Sequence, residues 1–167
     1  MSTPLTIPCP HCNGLNRIPA ERLGDGPNCG RCKKPLLLTQ PFELSSSNYA
    51  SQIKGDLPLL VDVWASWCGP CQAFAPTFQQ AASALVGRCR LAKLDSEAHQ
   101  QLAGQLGIRS IPSLILFKKT FSTKKQDYSI MLGTRAKNRL GQTKKPDFRH
   151  IFGAEQWVGT EWRWLMF

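Results

Sequence analysis

Six of the seven cysteines in this 167-residue chain stand in three C-x-x-C pairs, a spacing that points to metal binding or thiol redox chemistry. The first two pairs, Cys9-Pro10-His11-Cys12 and Cys29-Gly30-Arg31-Cys32, are separated by sixteen residues. Zinc takes four tetrahedral ligands, and two such knuckles deliver four thiolates from two tight turns, with Gly14 and Gly30 easing the backbone. Two local disulfides or free thiols are the alternatives, but a module this small cannot build a stable core without a staple. One structural zinc ion held by Cys9, Cys12, Cys29 and Cys32 is therefore expected, with no organic cofactor. Four sulfurs close the site and leave His11 a bystander.

The third pair closes the run Val61-Asp62-Val63-Trp64-Ala65-Ser66-Trp67-Cys68-Gly69-Pro70-Cys71. Here a strand of the buried type delivers two thiols onto the start of a helix. The unsatisfied N–H groups and the macrodipole at that end favour a thiolate, so Cys68 reads as a nucleophile. Cys71, one helical turn on, is placed to resolve a mixed disulfide. A metal site here lacks two further ligands, because the best candidates are committed upstream. Cys89 stands alone.

These groups need elements to hold them. Residues 1–40 are rich in Pro, Gly and Cys without a long amphipathic period, as in a metal-stapled module. After them, Phe42–Leu44 reads as a short strand and Ser45–Lys54 as a short helix ended by Gly55. Leu57–Trp64, apolar except for Asp62, has the pattern of a strand buried on both faces. Phe74, Phe78, Ala81, Ala82 and Leu85 recur at helical spacing, predicting a helix from the dithiol to about Val86, kinked at Pro76. Cys89–Leu94 reads as a strand, Glu97–Leu106 as a helix ended by Gly107, and Pro112–Phe117 as a strand. Alternating strands and helices predict an α/β layer structure with parallel pairings.

The net charge of +10 is unevenly spread: residues 1–117 hold ten Lys/Arg against seven Asp/Glu, and residues 118–149 hold ten against two. The basic excess thus sits outside the dithiol region, which argues against nucleic acid as its partner. No segment approaches the roughly 18 apolar residues of a membrane span, and MSTPLTIPCPHC lacks the features of a leader, so a soluble, cytoplasmic monomer without a membrane partner is expected.

The WCGPC segment, the strand before it and Ile111-Pro112 about forty residues later closely resemble the thioredoxin family, and the N-terminal double C-x-x-C resembles its thioredoxin 2 subtype with a zinc ribbon. The resemblance implies a three-layer fold with a central mixed sheet behind a small ribbon. It also implies protein-disulfide reduction through Cys68 and Cys71, recharging by a flavoprotein thioredoxin reductase using NADPH, and disulfide-containing proteins as substrates. Asp62 matches a buried aspartate that relays a proton to or from the resolving cysteine, and Lys93 a lysine near it. From the residues alone, a lone Asp in an apolar strand needs such a role, because an unpaired buried carboxylate is costly, with a satisfied polar group at a strand end as the lesser alternative; Lys93 reads almost as readily as a solvated lysine. Trp67, Gly69, Pro70, Ile111 and Pro112 match the substrate-binding rim, with Pro112 a cis-proline, where sequence alone favours a trans turn. Trp64 matches a tryptophan packed beside the dithiol, or belongs to the core. An oxidase or isomerase, a zinc-linked redox sensor and a binding module are the rival functions. The resemblance covers residues 1 to about 118: a ribbon over 1–40 and a thioredoxin domain over 41–118. The family pattern continues with a turn, an antiparallel strand, a glycine and a closing amphipathic helix. Tyr128–Leu132 before Gly133 imitates that strand, but no helical apolar stripe follows, so 119–167 reads as out of frame, with a genuine basic extension as the alternative.

Overall fold

The computed structural model describes residues 3–118 and the backbone of 130–132. In the N-terminal module, strands β1 (Leu5–Pro8) and β2 (Leu15–Ile18) pair antiparallel, and a 3-10 helix follows over Ala20–Asp25. The two Cys turns repeat one backbone design. Cys9 N–H donates to Gly14 O and Asn13 N–H to Cys9 O; likewise Cys29 N–H donates to Lys34 O and Lys33 N–H to Cys29 O. Asn13 and Lys33 occupy the same place in each turn, both with left-handed backbone at φ 60° and 63°.

The body contains β3 (Phe42–Leu44), α1 (Tyr49–Gln52), β4 (Leu59–Trp64), α2 (Gly69–Ala84), β5 (Arg90–Asp95), α3 (Gln100–Gln105), β6 (Ser113–Phe117) and β7 (Ile130–Leu132). Its sheet runs in the order β3-β5-β4-β6-β7. The pairings of β5 with β3 and β4 are parallel, whereas β6 runs antiparallel to β4 and β7 antiparallel to β6. The parallel pairings expected from strand and helix alternation are those of β3, β5 and β4, and with the antiparallel β6 and β7 they make the mixed sheet that the family resemblance implies. The connection through α3 brings the chain into β6 antiparallel to β4.

Two helices begin later than their sequence patterns predict. Asn48 is the N-cap of α1, but its side chain bonds back to the preceding turn, accepting from Ser45 N–H at 2.8 Å and donating to Glu43 O at 2.9 Å, and α1 starts only at Tyr49. Asp95 accepts from Glu97 N–H and Ala98 N–H, a side-chain turn that delays α3 to Gln100. Gly107, at φ 69°, lies just past α3, as expected.

Strand β4 is buried on both faces. Leu59, Val61 and Val63 pack with Ala92, Leu94, Ile115 and Phe117 beneath Tyr49, Leu102 and Leu106 of the α1/α3 layer. Leu60, Leu91 and Leu116 pack on the opposite side against Phe78, Ala82 and Leu85 of the α2 layer. Alternation along the strand puts Asp62 on the α2 side, between Leu60 and Trp64. The N-terminal module seats on the opposite end of β4 from the dithiol: Thr6 N–H donates to Asp56 Oδ2 at 2.6 Å, Asp56 N–H returns to Thr6 O at 2.9 Å, and Leu57 packs with Ile7 and Leu36. Beyond β7, the expectation for 119–167 lies outside the described residues.

Candidate active site and metal centre

The chain leaves β4 at Trp64, turns through Ala65, Ser66 and Trp67, and enters α2, which places Cys68 at the N-cap. Cys68 and Cys71 are joined as a disulfide. The Cys71 N–H, one of the helix's orphan donors, points at Cys68 Sγ from 3.2 Å. Both cysteines are nearly covered and pack with Ala65, Trp64 and Ile111. The Ile111–Pro112 bond is cis. Around the recessed sulfurs, Gly69 and Pro70 are exposed, and Trp67 is 69% exposed. Three hydrogen bonds fix the loop: Gln72 Nε2 to Ser66 O at 2.6 Å, Ser66 Oγ to Glu97 Oε2 at 3.1 Å, and Ser96 Oγ to Trp64 O at 2.9 Å.

Asp62 is fully buried, and neither carboxylate oxygen has a hydrogen-bond partner among the described residues. Burial pushes its carboxyl up to about 6, with Lys93 acting in the opposite direction. Lys93 is the register partner of Asp62 on β5, and its ammonium lies over the Trp64 ring at 4.5 Å from the centroid. The reading of Asp62 as a satisfied strand-end group is therefore corrected. A carboxyl without protein partners, kept near neutrality, is suited to exchanging a proton.

At the other end of the sheet, the sulfurs of Cys9, Cys12, Cys29 and Cys32 all lie within 4.8 Å of one another. Cys9 and Cys32 Sγ are 3.6 Å apart, and Cys12 and Cys29 Sγ 3.7 Å. Sulfurs about 2.3 Å from a tetrahedral zinc ion are separated by about 3.8 Å, so the cluster fits that metal. Donors surround the sulfurs as thiolates require: His11 N–H points to Cys9, while Arg31 N–H and Asn16 Nδ2 point to Cys29. Hydrogen bonding, chiefly from the Cys32 backbone, draws Cys29 down to about 6, whereas burial pushes Cys9 up to about 12. Ionised together, four thiolates this close would repel one another, and a cation among them would offset that repulsion.

The profile of the family described as Thioredoxin matches residues 40–144, and that described as Thioredoxin 2, N-terminal matches residues 8–34. This chain belongs to the thioredoxin family. Thioredoxin C-3 of Corynebacterium nephridii is 44% identical over 117 residues, covering 70% of this chain and 80% of that protein. The thioredoxin of Alicyclobacillus acidocaldarius is 45% identical over 75 residues, covering 45% of this chain and 71% of its own. Among solved structures, the long form of thioredoxin f from spinach chloroplast is similar at a TM-score of 0.50 and 25% identity, over 57% of this chain and 76% of that one. As a thioredoxin, the chain is a disulfide oxidoreductase with a zinc-ribbon metal site at its N-terminus. No helix among the described residues is long and apolar enough to cross a membrane.

Sequence reasoning missed three groups of residues that hold these sites. Asn16 ties the knuckles together, donating to Gly14 O at 2.9 Å and accepting from Gly30 N–H at 2.9 Å. Ser66, Gln72 and Glu97 brace the dithiol loop. Gln52, buried in the thioredoxin domain, reaches the first knuckle, and Arg90, also buried there, holds Gln52. Nothing in the local pattern marks them, because each is an ordinary polar residue, and the Asn16–Gly30, Ser66–Glu97 and Gln52–Cys9 bonds join residues from 14 to 43 apart in the chain. Cys89 is buried beside Arg90, and burial pushes its thiol up to about 11.

Proposed function

We propose that this thioredoxin is a protein-disulfide reductase in which Cys68 attacks, Cys71 resolves and Asp62 manages the proton. The observation that carries the reading is the Cys71 N–H aimed at the N-cap sulfur of Cys68, a donor that stabilises negative charge on that sulfur once the disulfide is open. In the reduced enzyme the Cys68 thiolate forms a bond to one substrate sulfur as the substrate S–S bond breaks, and the other substrate sulfur leaves as a thiolate that takes a proton. Asp62, ionised at neutral pH, accepts the Cys71 proton. The Cys71 thiolate then attacks Cys68 Sγ and displaces the second substrate thiol. Two electrons have passed to the substrate, and the Cys68–Cys71 disulfide remains.

The exposed Trp67, Gly69 and Pro70, with Ile111 and Pro112 opposite, form the rim for an extended segment of a protein disulfide, and Lys93 biases Asp62 toward its charged form. A thioredoxin reductase drawing on NADPH restores the dithiol. One zinc ion, held by Cys9, Cys12, Cys29 and Cys32, is structural, no organic cofactor takes part, and the setting is the cytoplasm, where free thiols persist. The ribbon occupies 1–40 and the thioredoxin domain 41–118, followed by the basic segment 119–167. The test is an NADPH-coupled assay with thioredoxin reductase and a disulfide protein. Cys68→Ser abolishes turnover, while Cys71→Ser accumulates mixed disulfides. Turnover surviving in Cys68→Ser, or equal trapping by both variants, refutes the assignment.

A further inference from the structure

The two zinc knuckles share a backbone design but differ in what holds them from outside. In the second, Lys33 turns its ammonium back to Gly30 O at 2.8 Å, inside its own turn. In the first, the side chain of Gln52, at the end of α1 and fully buried, donates from Nε2 to Cys9 O at 2.8 Å and to Asn13 Oδ1 at 2.7 Å. Cys9 O also accepts the Asn13 N–H, so Gln52 grips both residues that define the turn.

The direction of this amide is set by Arg90. Its guanidinium donates to Gln52 Oε1 and to Gln52 O and lies over the Phe42 ring at 5.2 Å. A guanidinium has only donors, so Oε1 must face Arg90, which leaves Nε2 for the knuckle carbonyl. Arg90 is only 6% exposed, and a zinc ion with four thiolates carries a net charge of −2, so a buried cation one side chain away is electrostatically matched to the centre.

We propose that Gln52, oriented by Arg90, is a positioning residue of the zinc centre, so that the thioredoxin domain determines how firmly Cys9 and Cys12 hold the metal. Groups outside the ligand sphere that orient ligands typically alter metal affinity by about 10-fold to 100-fold when removed. The inference rests on the zinc reading of the ribbon.

The informative variant is Gln52→Glu, which retains an acceptor for Arg90 but replaces the donor to Cys9 O and Asn13 Oδ1. Full-length, zinc-loaded protein is mixed with excess chromophoric chelator well below its unfolding temperature, and the order of cysteine alkylation is mapped by mass spectrometry. Zinc release about 10-fold faster than in the parent, with Cys9 and Cys12 alkylated before Cys29 and Cys32, supports the proposal. Leu102→Ala, a cavity under α3 remote from the ribbon, controls for general destabilisation. Release from Gln52→Glu no faster than from Leu102→Ala, or an alkylation order like that of the parent, overturns the proposal. If Gln52→Glu does not fold, Arg90→Lys, which keeps the charge but loses the fork, is judged by the same two outcomes. A parent that binds no zinc refutes the zinc reading, whereas a zinc-loaded parent matched by its variant refutes this inference alone.

Discussion

Asp62 carries a charge that the fold opposes. Burial holds its carboxyl at about 6 against 3.8 for the free group, so the folded chain binds this proton more tightly than the unfolded chain. Stability therefore falls as the pH rises from about 4 to about 6 and stays lower above that, by about 3 kcal/mol for a shift of this size. Asp62→Asn removes that burden. Its urea midpoint should exceed the parent's clearly at pH 7.5 and approach it at pH 4.5, and an equal margin at both would contradict a carboxyl ionising without partners. The same variant should slow resolution of the mixed disulfide while leaving the first attack by Cys68 nearly intact, which stopped-flow fluorescence of Trp64 and Trp67 can separate. Lost structure alone would slow both steps.

Among the elements, α2 has two tasks. Its first turn presents the dithiol, and Phe78, Ala82 and Leu85 press its middle and end onto Leu60, Leu91 and Leu116 of the sheet. Phe78 is 2% exposed and meets the Phe74 ring at 5.9 Å between centroids. Phe78→Ala is expected to lower unfolding stability by about 3–5 kcal/mol, the usual cost of a cavity that size, measurable from the urea midpoint. A loss under about 1 kcal/mol would mean that α2 is not anchored through this ring. The turn before β4 makes a second element-scale contact. A Cβ on Gly55 would lie 2.8 Å from Pro8 Cδ, so that the ring must shift, and a tight 3.1 Å from Arg90 Nη1. Gly55→Ala should accordingly loosen the ribbon by about 1–3 kcal/mol and make 1–40 more susceptible to limited proteolysis than 41–118. Unchanged digestion would show that the ribbon yields without strain.

On the scale of the whole molecule, ribbon and dithiol occupy opposite ends of the sheet, separated by the length of β4, about 20 Å for its six residues. The ribbon is thus placed to hold the start of β4 and β5 without occupying the substrate rim. Pairing of β7 with β6, Leu132 opposite Leu114, supplies the antiparallel strand that the family pattern calls for after β6. The sequence after Gly133 lacks an apolar stripe of helical period. Because β7 is read in frame and the family profile runs on to residue 144, a shifted frame concerns the closing helix alone: translating the coding DNA in the other two frames beyond codon 133 is expected to give an amphipathic helix. Absence of that pattern, with cooperative unfolding at ordinary stability for the family, would identify the segment after Gly133 as a genuine extension.

What the sequence determined by itself was whatever depends on residues close together in the chain. Each C-x-x-C pair is a single turn, so the dithiol and the two knuckles were legible at once. The burial of β4 was written in one apolar run, and Asp62 stood out because that run had no polar neighbour for it. Tertiary structure decided what depends on separated residues. An apolar strand reads the same in either direction, so the pattern of β6 did not reveal its antiparallel course. Gln52 and Arg90 lie 38 residues apart, and Gln52 lies 43 from Cys9. Only folding brings them together, because the buried amide and guanidinium needed partners that their own segments could not supply.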